Sequence, residues 1–134
     1  MSGIEWVVDA HGCSADLLSN PELLRELFDR IISSMQLHPV GPTQWHHFPS
    51  PGGITGLCLL SESHLACHTF PEFGSLCLNV FCCVPREAWN FESALTKMFN
   101  ARSVTIRTMT RSYGTNNERT LATRRKDVAL ESRG

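Results

Sequence analysis

Apolar residues recur at helical spacing in two stretches of this chain and alternate with polar ones in several others, and the order of these patterns predicts an architecture. Ile4 to Ala10 reads as a strand that ends at a Gly12 turn. Asn20-Pro21-Glu22 then supplies a cap, a first-turn proline and a first-turn carboxylate. Behind that start, Leu23, Leu24, Leu27, Phe28, Ile31 and Ile32 form one face and Arg25, Glu26, Asp29 and Arg30 the other, which predicts an amphipathic helix to about Met35. Thr43 to Phe48 and Ile54 to Leu60 read as two strands of a hairpin joined by Pro49-Ser50-Pro51-Gly52-Gly53. A further run, His64 to Phe70, passes through the turn Pro71-Glu72-Phe73-Gly74 into Ser75 to Cys83. There Leu76, Leu78, Val80 and Cys82 share one face, and Ser75, Cys77, Asn79, Phe81 and Cys83 the other. Ala88 to Phe99 predicts a second amphipathic helix and Ser103 to Thr110 a last strand.

Strand, helix, four strands, helix, strand is the order of an α+β protein: a two-layer sandwich whose mainly antiparallel sheet carries two helices on one face. The other face is left bare, which predicts a dimer or larger assembly formed through it. Residues 1–112 make the domain. Residues 113–134 lose the apolar period and are read as a disordered tail. Its basic run Arg124-Arg125-Lys126 is shorter than the roughly five to eight residues of a nucleic-acid patch.

Composition narrows the classes. A chain of 134 residues, 42% hydrophobic, suits one domain with a single core. Its net charge of −1 offers a polyanion no bulk attraction, so nucleic acid is not an expected partner. No apolar run approaches the ~20 residues of a membrane span, and Met1-Ser2-Gly3-Ile4-Glu5 lacks a basic-then-apolar leader, so no membrane partner and a cytoplasmic location are expected. The six cysteines include no Cys-x-x-Cys; Cys13, Cys58 and Cys67 are read as packing, and no metal is expected.

Chemistry concentrates between Ser61 and Gly74, where hydroxyls, two imidazoles and two carboxylates interrupt an apolar region. Ionisable groups are costly to bury unless paired, so the crowding needs a reason. Taken singly, Ser63, His68, Glu72 and Cys83 are ordinary strand and turn residues; their combination makes them candidates. A serine hydrolase built on Ser63 and His68 meets an obstacle, because five residues along a strand place two side chains on opposite faces.

Glu62-Ser63-His64, His68-Thr69-Phe70-Pro71-Glu72-Phe73-Gly74 and Asn79-Val80-Phe81-Cys82-Cys83 together resemble the bacterial S-adenosylmethionine decarboxylase proenzymes. Gly12-Cys13 before Leu17-Leu18, the Pro-Gly loop before Thr55-Gly56 and the helix after Cys83 extend the resemblance over about residues 4 to 110. It implies a zymogen that cleaves itself between Glu62 and Ser63 into a β chain of residues 1–62 and an α chain from residue 63. The Ser63 hydroxyl would attack the preceding carbonyl in an N-to-O acyl shift; the ester would eliminate, and the dehydroalanine would hydrolyse to a pyruvoyl group. Thr55 and His68 match residues that assist this processing, His68 as general acid/base. The pyruvoyl ketone, with no pyridoxal phosphate and no metal, would hold a substrate amine as a Schiff base and accept the electrons left by departing carbon dioxide. Cys83 matches the proton donor to the α-carbon and Glu72 the carboxylate that holds ribose hydroxyls. His64 follows the new electrophile and shapes it. The implied activity is decarboxylation of S-adenosylmethionine, a carboxy-lyase step supplying the aminopropyl donor of spermidine, by a homo-oligomer of αβ units with sites between protomers.

This chain departs from the family's pattern on the substrate side. Phe73-Gly74-Ser75 replaces a usual Tyr-Gly-Tyr, Asn79 a usual aspartate, and Pro49 stands where an aromatic is usual, with Phe48 three residues before Pro51. An aromatic face attracts a sulfonium by on the order of 0.5 to 2 kcal/mol, and Phe48, Phe70, Phe73 and Trp45 are the rings left for that task. A pyruvoyl-dependent arginine or ornithine decarboxylase is therefore an alternative on the same scaffold. A non-catalytic homologue acting as a binding subunit is another; it would be expected to have lost Ser63, His68 or Cys83, and all three are present.

Overall fold

The computed structural model describes residues 1–114, so most of the predicted tail, from Thr115 onward, lies outside the described residues. Its elements are β1 (Ser2–His11), α1 (Ala15–Leu18), α2 (Pro21–Ser34), β2 (Gln44–His47), β3 (Ile54–Leu60), β4 (Ser63–Phe70), β5 (Ser75–Cys82), α3 (Phe91–Phe99) and β6 (Ser103–Ser112). The strands form one antiparallel sheet in the order β2-β3-β4-β5-β1-β6. Three successive hairpins place β2 to β5 side by side, and β1 fills the gap between β5 and β6.

Alternation decides which side each strand residue serves. Trp6, Val8 and Ala10 of β1, Cys58 and Leu60 of β3, Leu65 of β4 and Leu76, Leu78 and Val80 of β5 are buried on one face. Leu24, Leu27, Phe28 and Ile31 of α2 and Phe91, Leu95 and Phe99 of α3 close over them, as the helical stripes predict. Asn20 caps α2, its side-chain oxygen accepting the Leu23 N–H at 3.3 Å, a contact worth about 1 kcal/mol.

Two elements differ from expectation. The second helix starts at Phe91 rather than Ala88, because Asn90 accepts the Ser93 N–H at 3.0 Å and so fixes the first turn. The four-residue α1 is too short to express a helical period; its entry is set by backbone bonds from Cys13 N–H to the Gly74 carbonyl (2.9 Å) and from Ser14 N–H to the Phe99 carbonyl (3.0 Å).

Gly56 is required by packing. A Cβ there would lie 2.3 Å from the Trp45 ring, which crosses the strand to reach Phe28 at a centroid distance of 4.7 Å. Trp45 is thereby committed to the helical layer. The other face carries Leu57, Leu59 and Met109, all exposed, with Val7, Ala66 and Phe81 half-buried beside them. Two ion pairs border these residues, Arg107 to Asp9 at 3.0 Å and Arg111 to Glu5. Among the described residues no helix covers this face, and none is long and apolar enough to cross a membrane.

Candidate active site

The tight turn between β3 and β4 holds the Glu62–Ser63 peptide, since Leu60 pairs directly with Ser63. Ser63 has φ 147°, a backbone conformation that favours glycine, and a side-chain-bearing residue held there stores on the order of 1–3 kcal/mol. Both flanks of the peptide are pinned. The Glu62 carbonyl accepts the Cys83 N–H at 2.7 Å, and the Ser61 N–H donates to the His38 carbonyl at 2.8 Å. Glu62 is 5% exposed, and its carboxylate accepts the His38 backbone N–H (3.0 Å), the His38 ring Nδ1–H (2.5 Å) and the Arg86 guanidinium (3.3 Å). Burial opposes its charge, yet the hydrogen bonds from His38 together prevail and hold the carboxyl below its usual range.

A polar chain leads away from the hydroxyl. Ser63 Oγ lies 3.2 Å from His64 Nδ1, and His64 Nε2 lies 2.7 Å from Asn79 Oδ1. Asn79 Nδ2 donates to Glu5 Oε2 (2.8 Å) and to the Trp6 carbonyl (3.3 Å). The Asn79 hydrogen bond, aided by Arg111 and opposed by burial, holds the Glu5 carboxyl below its usual range. Phe81 packs edge-on to the His64 ring at 5.7 Å, with the Arg111 guanidinium 5.2 Å from its centroid. Of the two adjacent thiols, Cys82 is fully buried and burial pushes it up to about 11. Cys83 is half-buried, and its carbonyl accepts the Tyr113 hydroxyl at 2.7 Å.

The opposite end of the β3–β4 hairpin is aromatic. Thr69, fully buried, accepts the Ile54 N–H (2.9 Å) and donates to the Leu18 carbonyl (2.8 Å), tying β4 to β3 and α1. Its neighbours His68 and Phe70 then project to the open face. His68 Nδ1 lies 2.5 Å from Thr55 Oγ1, and its ring meets Phe70 at 4.4 Å and Phe48 at 5.6 Å, both edge-on. Gly53 permits the close approach, because a Cβ there would sit 2.6 Å from the Thr69 carbonyl oxygen. Phe48, Gly53, His68, Phe70 and Glu72 line a cavity of about 370 Å³. A second of about 400 Å³ opens on the bare face between Val7, Asp9, Thr55, His68, Cys77 and Asn79.

Glu62, Ser63 and Cys83 thus gather at one end of β4, and Thr55, His68, Phe48, Phe70 and Glu72 at the other. Five residues of extended strand put Ser63 roughly 16 Å from His68, so one chain does not bring them together. Trp45 belongs to the helical layer, and Phe73, 76% exposed, lines neither cavity. Sequence reasoning missed His38, Arg86, Glu5, Arg111 and Tyr113, whose bonds to the site span 24 to 106 positions and leave no local signal. Asn79 enters the sequence reading as a departure from the family's usual aspartate, and it also breaks an otherwise apolar strand pattern. Among the described residues no three His, Cys, Asp or Glu side chains group as metal ligands would.

Known proteins share this sequence pattern and fold. The family model described as S-adenosylmethionine decarboxylase matches residues 4–112. An S-adenosylmethionine decarboxylase proenzyme of Acetivibrio thermocellus is 35% identical over 107 residues, covering 77% of this chain and 82% of the relative. One from Clostridium kluyveri is 32% identical over 105 residues, covering 77% and 81%. The crystal structure of the adenosylmethionine decarboxylase from Aquifex aeolicus superposes with a TM-score of 0.73 at 26% identity, over 87% of this chain and 95% of that one. A family match spanning all six strands, relatives of this identity and a shared sheet lead to one conclusion: the chain belongs to the S-adenosylmethionine decarboxylase family.

Proposed function

We propose that this chain is a self-processing, pyruvoyl-dependent S-adenosylmethionine decarboxylase that supplies the aminopropyl donor of spermidine. The observation that carries this is the strained Glu62–Ser63 peptide, held with its carbonyl against the Cys83 N–H. Attack of Ser63 Oγ on the Glu62 carbonyl carbon breaks the C–N bond, frees the Ser63 amine and leaves an ester. The Cys83 N–H steadies charge on the carbonyl oxygen as it builds. Loss of the Ser63 α-proton expels the Glu62 carboxylate, and water hydrolyses the resulting dehydroalanine with release of ammonia. Ser63 has the three carbons that a pyruvoyl group requires and stands half-buried at the first position of β4, so the residues fit the group. Once made, that group supplies an electron sink for the carbanion left by decarboxylation.

The remaining roles fall to named side chains. Cys83 returns a proton to the substrate α-carbon, Glu72 accepts hydrogen bonds from ribose hydroxyls, and Phe48 and Phe70 offer rings to the adenine and sulfonium. The roughly 16 Å between Ser63 and His68 along one strand supports a site built between two copies, with Ser63 meeting the partner's His68 and the partner's Thr55. The exposed Leu57, Leu59 and Met109 support that pairing.

Mass spectrometry of purified protein tests the processing: fragments of residues 1–62 and 63–134, the second blocked at its terminus, are expected, and an intact chain overturns it. Release of labelled carbon dioxide from carboxyl-labelled S-adenosylmethionine tests the substrate. Turnover of arginine or ornithine with none of S-adenosylmethionine overturns that assignment while leaving the processing in place.

A further inference from the structure

We propose that His64 is the base that takes the Ser63 hydroxyl proton in the acyl shift, and that Asn79 positions it by fixing its tautomer. This rests on the self-processing reading above. Asn79 can adopt only one amide orientation. Its Nδ2 faces Glu5 Oε2 and the Trp6 carbonyl oxygen at 2.8 and 3.3 Å. A carbonyl and an ionised carboxylate are acceptors only, so the amide nitrogen must point at them and Oδ1 must point at His64. The Glu5 carboxylate is kept ionised by Asn79 and Arg111, which makes the orientation self-consistent.

The acceptor Oδ1, 2.7 Å from His64 Nε2, requires a hydrogen on that nitrogen. In the neutral ring the lone pair then belongs to Nδ1, the atom 3.2 Å from Ser63 Oγ. Phe81, packed edge-on at 5.7 Å, limits rotation of the ring away from this position. The step balances. The Oγ proton passes to His64 Nδ1 as Oγ bonds to the Glu62 carbonyl carbon; the same proton then passes from Nδ1 to the Ser63 nitrogen as the C–N bond breaks. His64 ends as it began, and no co-reactant is needed. His68, roughly 16 Å along the strand, has no such access within its own chain.

Neutral hydroxylamine separates the step from those that follow, because it cleaves an ester and leaves an amide intact. Freshly synthesised His64→Ala protein is expected to self-cleave about 100-fold or more slowly than the unaltered chain, to accumulate as a 15.0 kDa species that resists hydroxylamine, and to regain speed with added imidazole. Asn79→Leu should slow cleavage about tenfold or more, and Asn79→Asp, which keeps an acceptor against Nε2, should recover part of that loss. Ring-nitrogen NMR of the uncleaved Ser63→Ala variant reads the tautomer without relying on cleavage, and Nε2–H is expected. Normal cleavage of His64→Ala, hydroxylamine-sensitive accumulation, or an Nδ1–H tautomer overturns the inference. Absence of cleavage in the unaltered chain overturns the self-processing reading instead.

Discussion

The two ends of β4 are built on opposite terms. At Ser63 the backbone is strained, the neighbouring Glu62, His64 and Asn79 side chains are hydrogen-bonded, and the surrounding charge is balanced by Arg86 and Arg111. At His68 the backbone is an ordinary strand, the rings of Phe48 and Phe70 each meet the imidazole edge-on, and a cavity of about 370 Å³ stands open. The first end suits a single reaction performed on the chain itself, where geometry must be fixed in advance. The second suits a molecule that must enter and leave.

The largest way to break the contrast is to remove the hydroxyl. Ser63→Ala should abolish cleavage altogether, leaving one 15.0 kDa band on a denaturing gel; two bands would place the break elsewhere. Next is a test of whether the two ends cooperate only across copies. Ser63→Ala and His68→Ala chains, each inactive alone, should regain roughly a quarter of normal decarboxylation when co-expressed, because random pairing of two copies restores one intact site in half the dimers. No recovery would tie both ends to one chain. At the open end, Phe48→Ala or Phe70→Ala should raise KM about 2- to 30-fold with kcat little changed, the span of a lost cation–π contact. A fall in kcat alone would move these rings from binding to chemistry.

The smallest effect lies in the pinning of Glu62. Its folded pKa is below the ordinary value of 4.5, so its ionised form contributes stability above that pH, and the contribution is lost as pH falls through the lower folded value. In a Ser63→Ala background, which excludes cleavage, Glu62→Gln should flatten the acid decline of Tm by on the order of a few degrees below pH 4.5. An unchanged acid limb would mean that His38 and Arg86 do not hold the carboxylate in solution.

Much of the fold is legible in the sequence because its signals are local. Asn20-Pro21-Glu22 ahead of an apolar helical period marks a helix start from neighbouring residues alone, and the alternation of Leu76, Leu78 and Val80 assigns faces without knowledge of the partner strand. α1 and the true start of α3 are not legible, since each depends on caps and backbone bonds rather than on apolar period. For the site, sequence reasoning reaches Ser63, His68 and Cys83 through a family resemblance. The strand reading of His64 to Phe70 already separates Ser63 from His68, because five positions are far apart in an extended backbone. The His64–Asn79–Glu5 chain is hidden, because residues distant in order meet only when β1, β4 and β5 lie side by side.

The strand order also determines what a break after Glu62 does to the molecule. The front piece would own β1, β2 and β3, the rear piece β4, β5 and β6, and β1 is clasped between two strands of the rear piece. Like interlaced fingers, the halves share three strand seams, and severing one covalent link in the turn undoes none of them. Maturation would therefore be a local release at a single corner, with the halves staying joined for as long as the sheet survives.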